Sequence, residues 1–312
     1  MRAIVQTEYG GPEVLRETDR LPVPEPGPGE IRIRVRAAGV NPTDWKHRAA
    51  PLFLDRLPLV LGWDVAGVVD KLGYGVTVFD EGDEVFGMLP YPHGVGGYAE
   101  YVLCPARAMA RKPEQLDFVE AAALPLASLT AWQALNDTAH LTAGQRVLIQ
   151  GAAGGVGHLA VQIASRMGAK VTGTASAEDL EYVRSLGAAE ALDYRAADLR
   201  AAVSDADAAL VPFTGDTLVE SLQAVRAGGT MVTLLRTDPD GPEQRLAAER
   251  AVRCRTMLVQ ADHAGMQVIA DLARSGGLRA RIHDALPLSA AAEAHRLGEA
   301  GRIDGKLVLV VA

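Results

Sequence analysis

The sequence predicts an α/β protein in which a β-rich domain accompanies a doubly wound parallel-sheet domain. Its length of 312 residues is enough for about two domains of roughly 150 residues each. In roughly the first hundred residues, short alternating or β-branched runs are separated by glycine and proline. After Asp117, strands alternate with helical segments of about 10–15 residues. This second pattern indicates a parallel sheet covered by helices on both faces.

The charge and the cysteine content exclude several classes of protein. A formal net charge of −8 with scattered basic residues argues against nucleic acid or an anionic membrane as the main partner. Cys104 and Cys254 lie far apart and neither has a CxxC neighbour, which excludes a disulfide framework and a cysteine-based zinc cluster. The N-terminal MRAIVQTEYGG lacks the apolar region of a signal peptide, and no apolar run reaches the roughly 18 residues that cross a bilayer. We therefore expect a soluble, cytoplasmic protein.

In the β-rich part, turns separate several short predicted strands. Its predicted strands are 3–6, 31–37, 66–71, 84–88 and 98–103. Arg32, Arg34 and Arg36 alternate with apolar residues, which is typical of the solvated face of a strand rather than of a phosphate track. The proline-rich segment LPVPEPGPGE predicts a stiff surface connection between strands.

The second part reads as alternating strands and helices. A helical run over 118–135 is interrupted by Pro125. The predicted elements that follow are strands 146–150, 170–174, 191–194, 208–213, 230–235 and 255–260, with helices 155–168, 177–186 and one that ends near 227. After about residue 262, a helix and short strands lead to a last strand, KLVLVV, which we expect to return to the first domain. The predicted domains are therefore 1–118 with 263–312, and 119–262.

A glycine-rich loop between a strand and a helix is the sharpest functional signal. In RVLIQGAAGGVGHLAVQIASRMGAK the loop contains Gly151, Gly154, Gly155, Val156 and Gly157. Glycine is required where the strand turns sharply, where backbone approaches a pyrophosphate and where the helix packs closely on the sheet. The helix N-terminus offers free N–H groups and a positive dipole end to phosphates. The loop predicts a dinucleotide site, and the alternative is a glycine-rich turn without a ligand.

The end of the next strand favours NADPH over NADH. An NAD-dependent enzyme usually has an acidic residue there, about 20 residues after the loop, to bind the ribose 2′-hydroxyl. Here the strand ends with GTAS at 173–176 and no acid, which leaves room for a 2′-phosphate. Two features weaken this preference: Glu178 and Asp179 follow closely, and Arg184 is the only nearby cation downstream in the sequence. Ser176 with Asp179 also matches a helix N-cap, and the two roles are compatible.

Motifs along the whole chain match one family. They are YGGPEVL (9–15), AAGVNPTDWK (37–46), LGWDVAGVV (61–69), GDEVFG (82–87), GGYAEYV (96–102), LTAWQAL (129–135), GAAGGVG (151–157), LDYR (192–195) and a GK-VL pattern near the end. On these residues the chain resembles the zinc-independent quinone oxidoreductases (zeta-crystallin-like) of the medium-chain dehydrogenase/reductase superfamily.

The resemblance implies a fold, a reaction and a set of site residues. The fold is a GroES-like β-rich catalytic domain plus a Rossmann domain. The reaction is NADPH-dependent reduction of a small-molecule quinone or α,β-unsaturated carbonyl by a homodimer, often formed by pairing the edges of the Rossmann sheets. The implied site residues are Asn41 beside the nicotinamide ribose, Thr130 near the nicotinamide, Gly154 to Val156 at the pyrophosphate, Ser176 and Tyr194 near the adenosine 2′-phosphate, and Lys46 near the ribose and substrate.

The family resemblance also indicates whether this chain has the ligands of a catalytic zinc ion. Zinc alcohol dehydrogenases of this superfamily supply a Cys, a Gly-His-Glu and a second Cys or an Asp to the catalytic ion. In this chain Asn41 occupies the first position and Trp63 the histidine position, and an indole cannot serve as one of the three protein ligands that catalytic zinc needs. The seven histidines show no ligand spacing such as HxxxH or HxH. We therefore predict no metal site, with Asp64 retained as a structural carboxylate or as the partner of a nearby base.

Without a metal, a conjugated acceptor is easier to reduce than an alcohol is to oxidise. Hydride addition leaves a delocalised enolate that a hydrogen-bond donor can hold. The candidate donors or acids are Lys46, Tyr91, His93 and Asn41. Lys46 is placed by the resemblance, and the alternative is an exposed lysine in a polar turn. Tyr91 and His93 lie in MLPYPHGVGG, a loop that either lines a substrate pocket or simply connects strands.

Three functions are compatible with these residues. The first is a quinone reductase, the second an enone or enoyl C=C reductase in a biosynthetic pathway, and the third a nucleotide-binding sensor or structural protein with little turnover. Two regions depart from the family pattern, VPFTGDTL at 211–218, where Pro212 removes a strand donor, and 236–254.

Overall fold

Two units make up the chain, which this computed structural model describes for residues 1–196, 198–301 and 303–311. One unit combines Met1–Leu129 with Gln260–Ala312, and the other is Thr130–Val259. The sequence predicts boundaries at 118/119 and 262/263, whereas the two units meet at 129/130 and 259/260. The C-terminal segment thus belongs with the N-terminal one, and the second unit is an insertion between them.

The N-terminal part is dominated by strands. They are β1 (Ala3–Gln6), β2 (Arg16–Thr18), β3 (Glu30–Val40), β4 (Leu59–Val60), β5 (Asp64–Leu72), β6 (Glu84–Met88), β7 (Tyr101–Pro105) and β8 (Met109–Arg111). Three helices occur in this part of the chain. They are α1 (Pro42–Ala49), which lies between β3 and β4, and α2 (Phe118–Ala122) and α3 (Pro125–Trp132), which follow β8, with a π-helical segment Gln133–Thr138 after α3. The predicted interruption at Pro125 is confirmed, because a proline lacks the N–H of a helix interior and suits the first helical position instead.

The remaining elements alternate between strand and helix. Those of the second unit are β9 (Arg146–Ile149), α4 (Gly157–Arg166), β10 (Lys170–Ala175), α5 (Leu180–Ser185), β11 (Glu190–Asp193), α6 (Leu199–Ala202), β12 (Ala206–Val211), α7 (Asp216–Ala224), β13 (Val225–Thr233), α8 (Pro242–Glu249) and β14 (Arg253–Thr256). The chain then returns to the first unit with α9 (His263–Arg274), β15 (Ile282–Pro287), α10 (Ala291–Glu299) and β16 (Lys306–Val310).

The second unit is built on one parallel sheet. Its strand order is β11-β10-β9-β12-β13-β14, and every neighbouring pair is parallel. Numbered from the first strand of the unit, this order is 3-2-1-4-5-6, the arrangement of dinucleotide-binding sheets. The chain order reverses between β9 and β12, and ligands of such sheets bind at the carboxyl ends of the strands at this point. The doubly wound fold predicted from the sequence is confirmed.

Several element bounds differ from those predicted. β12 ends at Val211 instead of continuing to 213, because Pro212 has no N–H to donate to a neighbouring strand. β13 begins at Val225, where the sequence predicts helix to about 227. Helices α1 and α10 were not predicted. For α1 the signal is present in the sequence, since Pro42 suits the first helical position and Asn41 with Asp44 has capping-box spacing.

The first unit contains a three-stranded sheet and a larger sheet that includes the last strand of the chain, β16. The larger one has the order β15-β16-β3-β5-β6-β8, and β7 also pairs with β3. The last strand, β16, runs antiparallel to β3, with Leu307 opposite Val40, and therefore lies in the sheet of the first unit. Along β3, Ile31, Ile33 and Val35 are buried, while the intervening arginines face outward as the alternation predicts. No helix in the described ranges is long and apolar enough to cross a membrane.

Candidate active site

The glycine-rich loop leaves the carboxyl end of β9 in a sharp turn. Gly151 has φ +64°, a left-handed conformation that favours glycine. The N–H of Ala152 donates to Thr174 O at 2.7 Å, which ties the loop to β10. A Cβ at Gly157 would stand 2.0 Å from Gly151 O, so only glycine allows α4 to begin this close to the strand. The loop therefore combines the sharp turn after the strand and the close packing of the helix on the strand that the sequence predicts.

The same loop presents backbone donors. Among the described residues, the N–H groups of Gly155, Val156 and Gly157 donate to no protein acceptor, as expected for the first turn of a helix. They lie at the positive end of the α4 dipole, where negative charge is stabilised. These features fit the diphosphate of a dinucleotide.

A series of buried polar side chains forms hydrogen bonds that lead to the first residue of the glycine-rich loop. Thr174 Oγ1 donates to Gln150 Oε1 and accepts the N–H of Gly151 at 3.2 Å. Gln150 Nε2 in turn donates to Ser221 Oγ on α7 at 3.0 Å. Sequence reasoning missed this series because its members come from three separate elements. It fixes the orientation of the first loop residue without occupying the donors that face a ligand.

The predicted adenosine-binding residues lie at the ends of β10 and β11. The N–H of Tyr194 donates to Ala175 O at 3.2 Å, which places Tyr194 beside Ser176. Tyr194 is exposed, and the guanidinium of Arg195 lies 5.1 Å from the centroid of its ring. Hydrogen bonds from its own backbone and from Ser176, together with the charge of Arg195, lower the pKa of Glu178. Arg195 is therefore a cation at the ends of β10 and β11 that the sequence reasoning overlooked.

Two details of this region differ from expectation. Ser176 occupies the N-cap position of a short 3-10 helix, yet its hydroxyl accepts no backbone N–H and instead donates to Asp179 Oδ2 at 3.1 Å. Arg184, the cation named from the sequence, donates to Ala191 O at 3.3 Å. Its guanidinium is thus engaged with the backbone of β11.

A buried ionic network occupies the first unit where β3 passes into α1. Lys306 Nζ on β16 donates to Asn41 Oδ1, and Asn41 Nδ2 donates to Asp64 Oδ2 at 2.8 Å. The other oxygen of Asp64 accepts the N–H of Leu126 at 2.7 Å, at the start of α3. The N–H of Asn41 donates to Asp44 Oδ2 at 2.6 Å. Both ends of the Asn41 amide are engaged, and one N–H and one lone pair remain for a ligand.

Burial shapes the protonation of this network. Loss of hydration raises the pKa of Asp44 to about 8, against the opposing hydrogen bond from Asn41, so this carboxyl is protonated at neutral pH. Burial also raises the pKa of Asp64, which the charge of Lys306 opposes, and lowers the pKa of Lys306. Asp64 accepts two N–H groups, which favours its charged form. The charge of Lys306 and the hydrogen bonds from Asn41 and Leu126 thus oppose the effect of burial on the carboxyl of Asp64.

The other candidates lie on α1, in the loop after β6 and in α3. Lys46 is exposed on this helix, and its ammonium forms no ion pair within the described part of the chain. Tyr91, in the loop after β6, is half-buried, and its hydroxyl lies 3.0 Å from Thr43 Oγ1. His93 is exposed. Thr130 is buried in α3.

The residues at the superfamily's metal positions do not fit zinc. The indole Nε1 of Trp63 donates to Pro92 O at 3.3 Å, and an indole has no lone pair to offer a metal. The oxygen of Asn41 already accepts the Lys306 ammonium, whose charge would repel a metal cation. Over the described ranges, no group of three or more His, Cys, Asp or Glu side chains could hold a metal ion.

Comparisons with known proteins agree with this architecture. Residues 27–114 match the family model described as the alcohol dehydrogenase GroES-like domain, and residues 186–309 match the one described as zinc-binding dehydrogenase. The second description is that of the family, and Asn41 and Trp63, the residues at the metal positions discussed above, lie outside the range that it matches.

Individual relatives are similar in sequence and in structure. A quinone oxidoreductase of Pongo abelii is 33% identical over 325 residues, covering 100% of this chain and 98% of that protein. A chloroplastic NADPH-dependent alkenal/one oxidoreductase of Arabidopsis thaliana is 42% identical over 203 residues, which are 62% of this chain and only 52% of that protein. The solved quinone oxidoreductase of Coxiella burnetii aligns with a TM-score of 0.91 at 36% identity, covering 100% of this chain and 99% of that one.

Proposed function

The chain belongs to the quinone oxidoreductase family of the medium-chain dehydrogenase/reductase superfamily, and we propose that it is an NADPH-dependent oxidoreductase that reduces a quinone or an α,β-unsaturated carbonyl without a metal ion. The observation that carries this proposal is the glycine-rich loop at the carboxyl end of β9, with its free N–H groups in a sheet of dinucleotide-binding order. The names of the relatives, which include quinone and alkenal/one oxidoreductases, support the choice of acceptor.

The chemistry divides between cofactor and protein. When bound, the nicotinamide cofactor supplies the hydride, and the protein supplies placement and hydrogen bonds. Negative charge then develops on the carbonyl oxygen of the acceptor, and a donor aimed at that oxygen lowers the barrier. Burial raises the pKa of Tyr91, so its hydroxyl stays protonated at neutral pH and acts as a donor. Lys46, exposed with no ion pair among the described residues, adds positive charge near the ribose and substrate.

The remaining residues have supporting roles. Gly151, Gly154, Gly155 and Val156 hold the diphosphate through backbone N–H groups. Asn41 offers its remaining amide N–H and lone pair to the nicotinamide ribose, and Thr130 contacts the nicotinamide.

The finer choice of cofactor is NADPH. The absence of an acidic residue at the end of β10 and the presence of Arg195 over Tyr194 favour a 2′-phosphate at this edge of the sheet. Glu178 and Asp179 reduce that preference by their charge, because like charges repel. The name of the Arabidopsis relative specifies NADPH dependence.

The proposed assembly is a homodimer. β14 lies at the edge of the six-stranded sheet and carries unpaired backbone groups on its outer side, which a second copy can pair. Light scattering of the purified protein tests this, and a monomer would contradict it. A cytoplasmic location stays a prediction, tested by fractionation of the native cells.

A panel assay tests the function. We expect NADPH oxidation in the presence of ortho- or para-quinones or enones, measured with the same enzyme preparation and with NADH as a parallel cofactor. Turnover of enoyl thioesters or aliphatic enones with no turnover of quinones would favour a C=C reductase instead. NADPH binding by fluorescence without turnover of any acceptor would reject both reductase functions and favour a sensor or structural role.

A further inference from the structure

Trp63 contacts the loop that carries Tyr91 in two ways. Its indole Nε1 donates to Pro92 O at 3.3 Å, and its ring lies 5.3 Å from the ring of Tyr91 at 65°, an edge-on geometry. Trp63 itself is completely buried. A tryptophan that packs on a tyrosine and bonds to the next residue of the same loop restricts both the position and the tilt of the tyrosine ring.

Thr43 holds the hydroxyl end of the same tyrosine. Its Oγ1 lies 3.0 Å from Tyr91 Oη and 3.1 Å from His47 Nδ1. Because Thr43 is on α1 and Tyr91 is in the loop after β6, this bond joins two elements that are distant in sequence. The tyrosine is thus held at its ring by Trp63 and at its hydroxyl by Thr43.

The tautomer of His47 sets the direction of these hydrogen bonds. His47 Nδ1 is 2.8 Å from Thr43 O, and a carbonyl only accepts, so Nδ1 carries the hydrogen. Nε2 faces the N–H of Phe53 at 3.4 Å, and a backbone N–H only donates, so Nε2 is the acceptor. Burial lowers the pKa of His47, which keeps it neutral. The one hydrogen on Nδ1 is shared between Thr43 O at 2.8 Å and Thr43 Oγ1 at 3.1 Å. Because this nitrogen cannot accept, the Thr43 hydroxyl can donate its own hydrogen bond to Tyr91 Oη.

We propose that Thr43 and Trp63 are positioning residues for Tyr91, and that the chain His47 to Thr43 to Tyr91 leaves the tyrosine proton directed at the carbonyl oxygen of the acceptor. This inference rests on the proposed function. Hydrogen bonds in such a chain polarise one another, so the last donor is strengthened by the two behind it. No proton needs to leave Tyr91 for this role.

The surroundings of Tyr91 suit a flat, apolar acceptor. Phe53 is 50% exposed, and its ring lies 6.1 Å from that of Tyr91 at 79°. Leu52 and Leu57 are exposed nearby in sequence. An apolar surface of this kind beside a hydroxyl donor can cover the ring of a quinone while the hydroxyl meets its oxygen.

The experiment compares single and double variants in the quinone assay. We expect Tyr91→Phe to lower kcat by about 100-fold, the usual effect of removing one donor to an oxyanion, with NADPH affinity unchanged. Thr43→Val and Trp63→Phe should each lower kcat by about tenfold, and Thr43→Ser, which keeps the hydroxyl, should restore it. In the Tyr91→Phe background, Thr43→Val and Trp63→Phe should have no further effect, because their contribution passes through Tyr91.

A matched control comes from the neighbouring Trp45. Its ring lies 6.3 Å from His295 and packs against Gly298 on α10, so Trp45→Phe should leave kcat unchanged. If Trp63→Phe does not fold, the Thr43 variants alone test the positioning role. These variants change a hydroxyl that is only half-buried, so they should fold. Additive losses in the double variants would overturn the positioning role. Unchanged kcat in Tyr91→Phe would overturn the whole inference while leaving the reductase function intact, and only an inactive wild-type enzyme would overturn that function.

Discussion

The side-chain nitrogen of Asn41 donates to the carboxylate of Asp64 at 2.8 Å, and Lys306 donates to the oxygen of the same amide. An ammonium group thus contacts Asn41, the residue that the family resemblance places at the first metal position. Asp64 also accepts the N–H of Leu126 at the start of α3, where a helix stabilises negative charge. The network joins β16, β3, β5 and α3.

Removing Lys306 should destabilise the protein strongly. Lys306→Met leaves Asp64 charged, buried and without its cation, which typically costs about 3–5 kcal/mol. Urea unfolding followed by circular dichroism measures this loss. The double variant Lys306→Met with Asp64→Asn should recover part of it. As a control, Lys71→Met removes an exposed partner of Glu25 and should leave the unfolding midpoint near that of wild type; a similar loss in both variants would contradict the role of burial.

Asp44 should make stability depend on pH. Burial raises the pKa of its carboxyl to about 8, whereas an unfolded aspartate has a pKa of about 3.9. Between these values the folded protein holds a proton that the unfolded chain releases, so this contribution to stability is complete below about pH 4 and is lost as the pH rises towards about 8. We predict that the free energy of unfolding of wild type relative to Asp44→Asn falls over this range. A constant difference across the range would show that Asp44 is ionised in the fold.

Gly157 should tolerate no side chain. A Cβ there would stand 2.0 Å from Gly151 O, so Gly157→Ala must open the phosphate loop. We predict at least about a tenfold loss of NADPH affinity in fluorescence titrations, with a loss of stability of about 1–3 kcal/mol from overpacking. Gly144→Ala is the control, because Gly144 has φ +84° and nothing within 4 Å of an added Cβ. It should lose stability through backbone strain and keep its NADPH affinity.

Arg195 should discriminate between the two cofactors. A charge-assisted bond from its guanidinium to a 2′-phosphate is worth about 1.5–3 kcal/mol, so Arg195→Ala should weaken NADPH binding by about tenfold or more and leave NADH binding unchanged. Glu178→Gln should strengthen the binding of NADPH, because it removes a negative charge near the 2′-phosphate. Arg184→Ala is the control, since its guanidinium bonds to Ala191 O. Equal effects on both cofactors would place the 2′-phosphate elsewhere.

Lys46 should affect turnover more than cofactor binding. Its ammonium is exposed on α1, and we predict that Lys46→Ala lowers kcat far more than NADPH affinity, with partial recovery in Lys46→Arg. Steady-state kinetics together with NADPH titrations separate the two quantities. Unchanged kinetics would make Lys46 an ordinary surface lysine.

Much of the fold could be predicted because its signals are local. The glycine spacing between a buried strand and a helix, and the alternation of strand and helix after Asp117, depend on backbone sterics and periodicity over a few residues. The same reasoning placed Gly151 and Ser176 at the ends of predicted strands, and the family resemblance added Tyr194. The local reasoning failed at α1 and α10, and at Pro212, where a single missing N–H ends β12 two residues early.

The partners of the candidate residues could not be predicted in this way. Lys306 meets Asn41 across 265 positions of sequence, and Thr43 meets Tyr91 across 48. Each of these contacts depends on strand pairing and loop placement that periodicity does not specify. From the sequence, the resemblance predicted that Asn41 and Trp63 stand at the positions of metal ligands, and the residue types themselves argue against zinc because an indole has no lone pair for a metal. Only the tertiary structure decided what surrounds them, because burial, and with it the raised pKa of Asp44 and the lowered pKa of Lys306, depends on long-range packing.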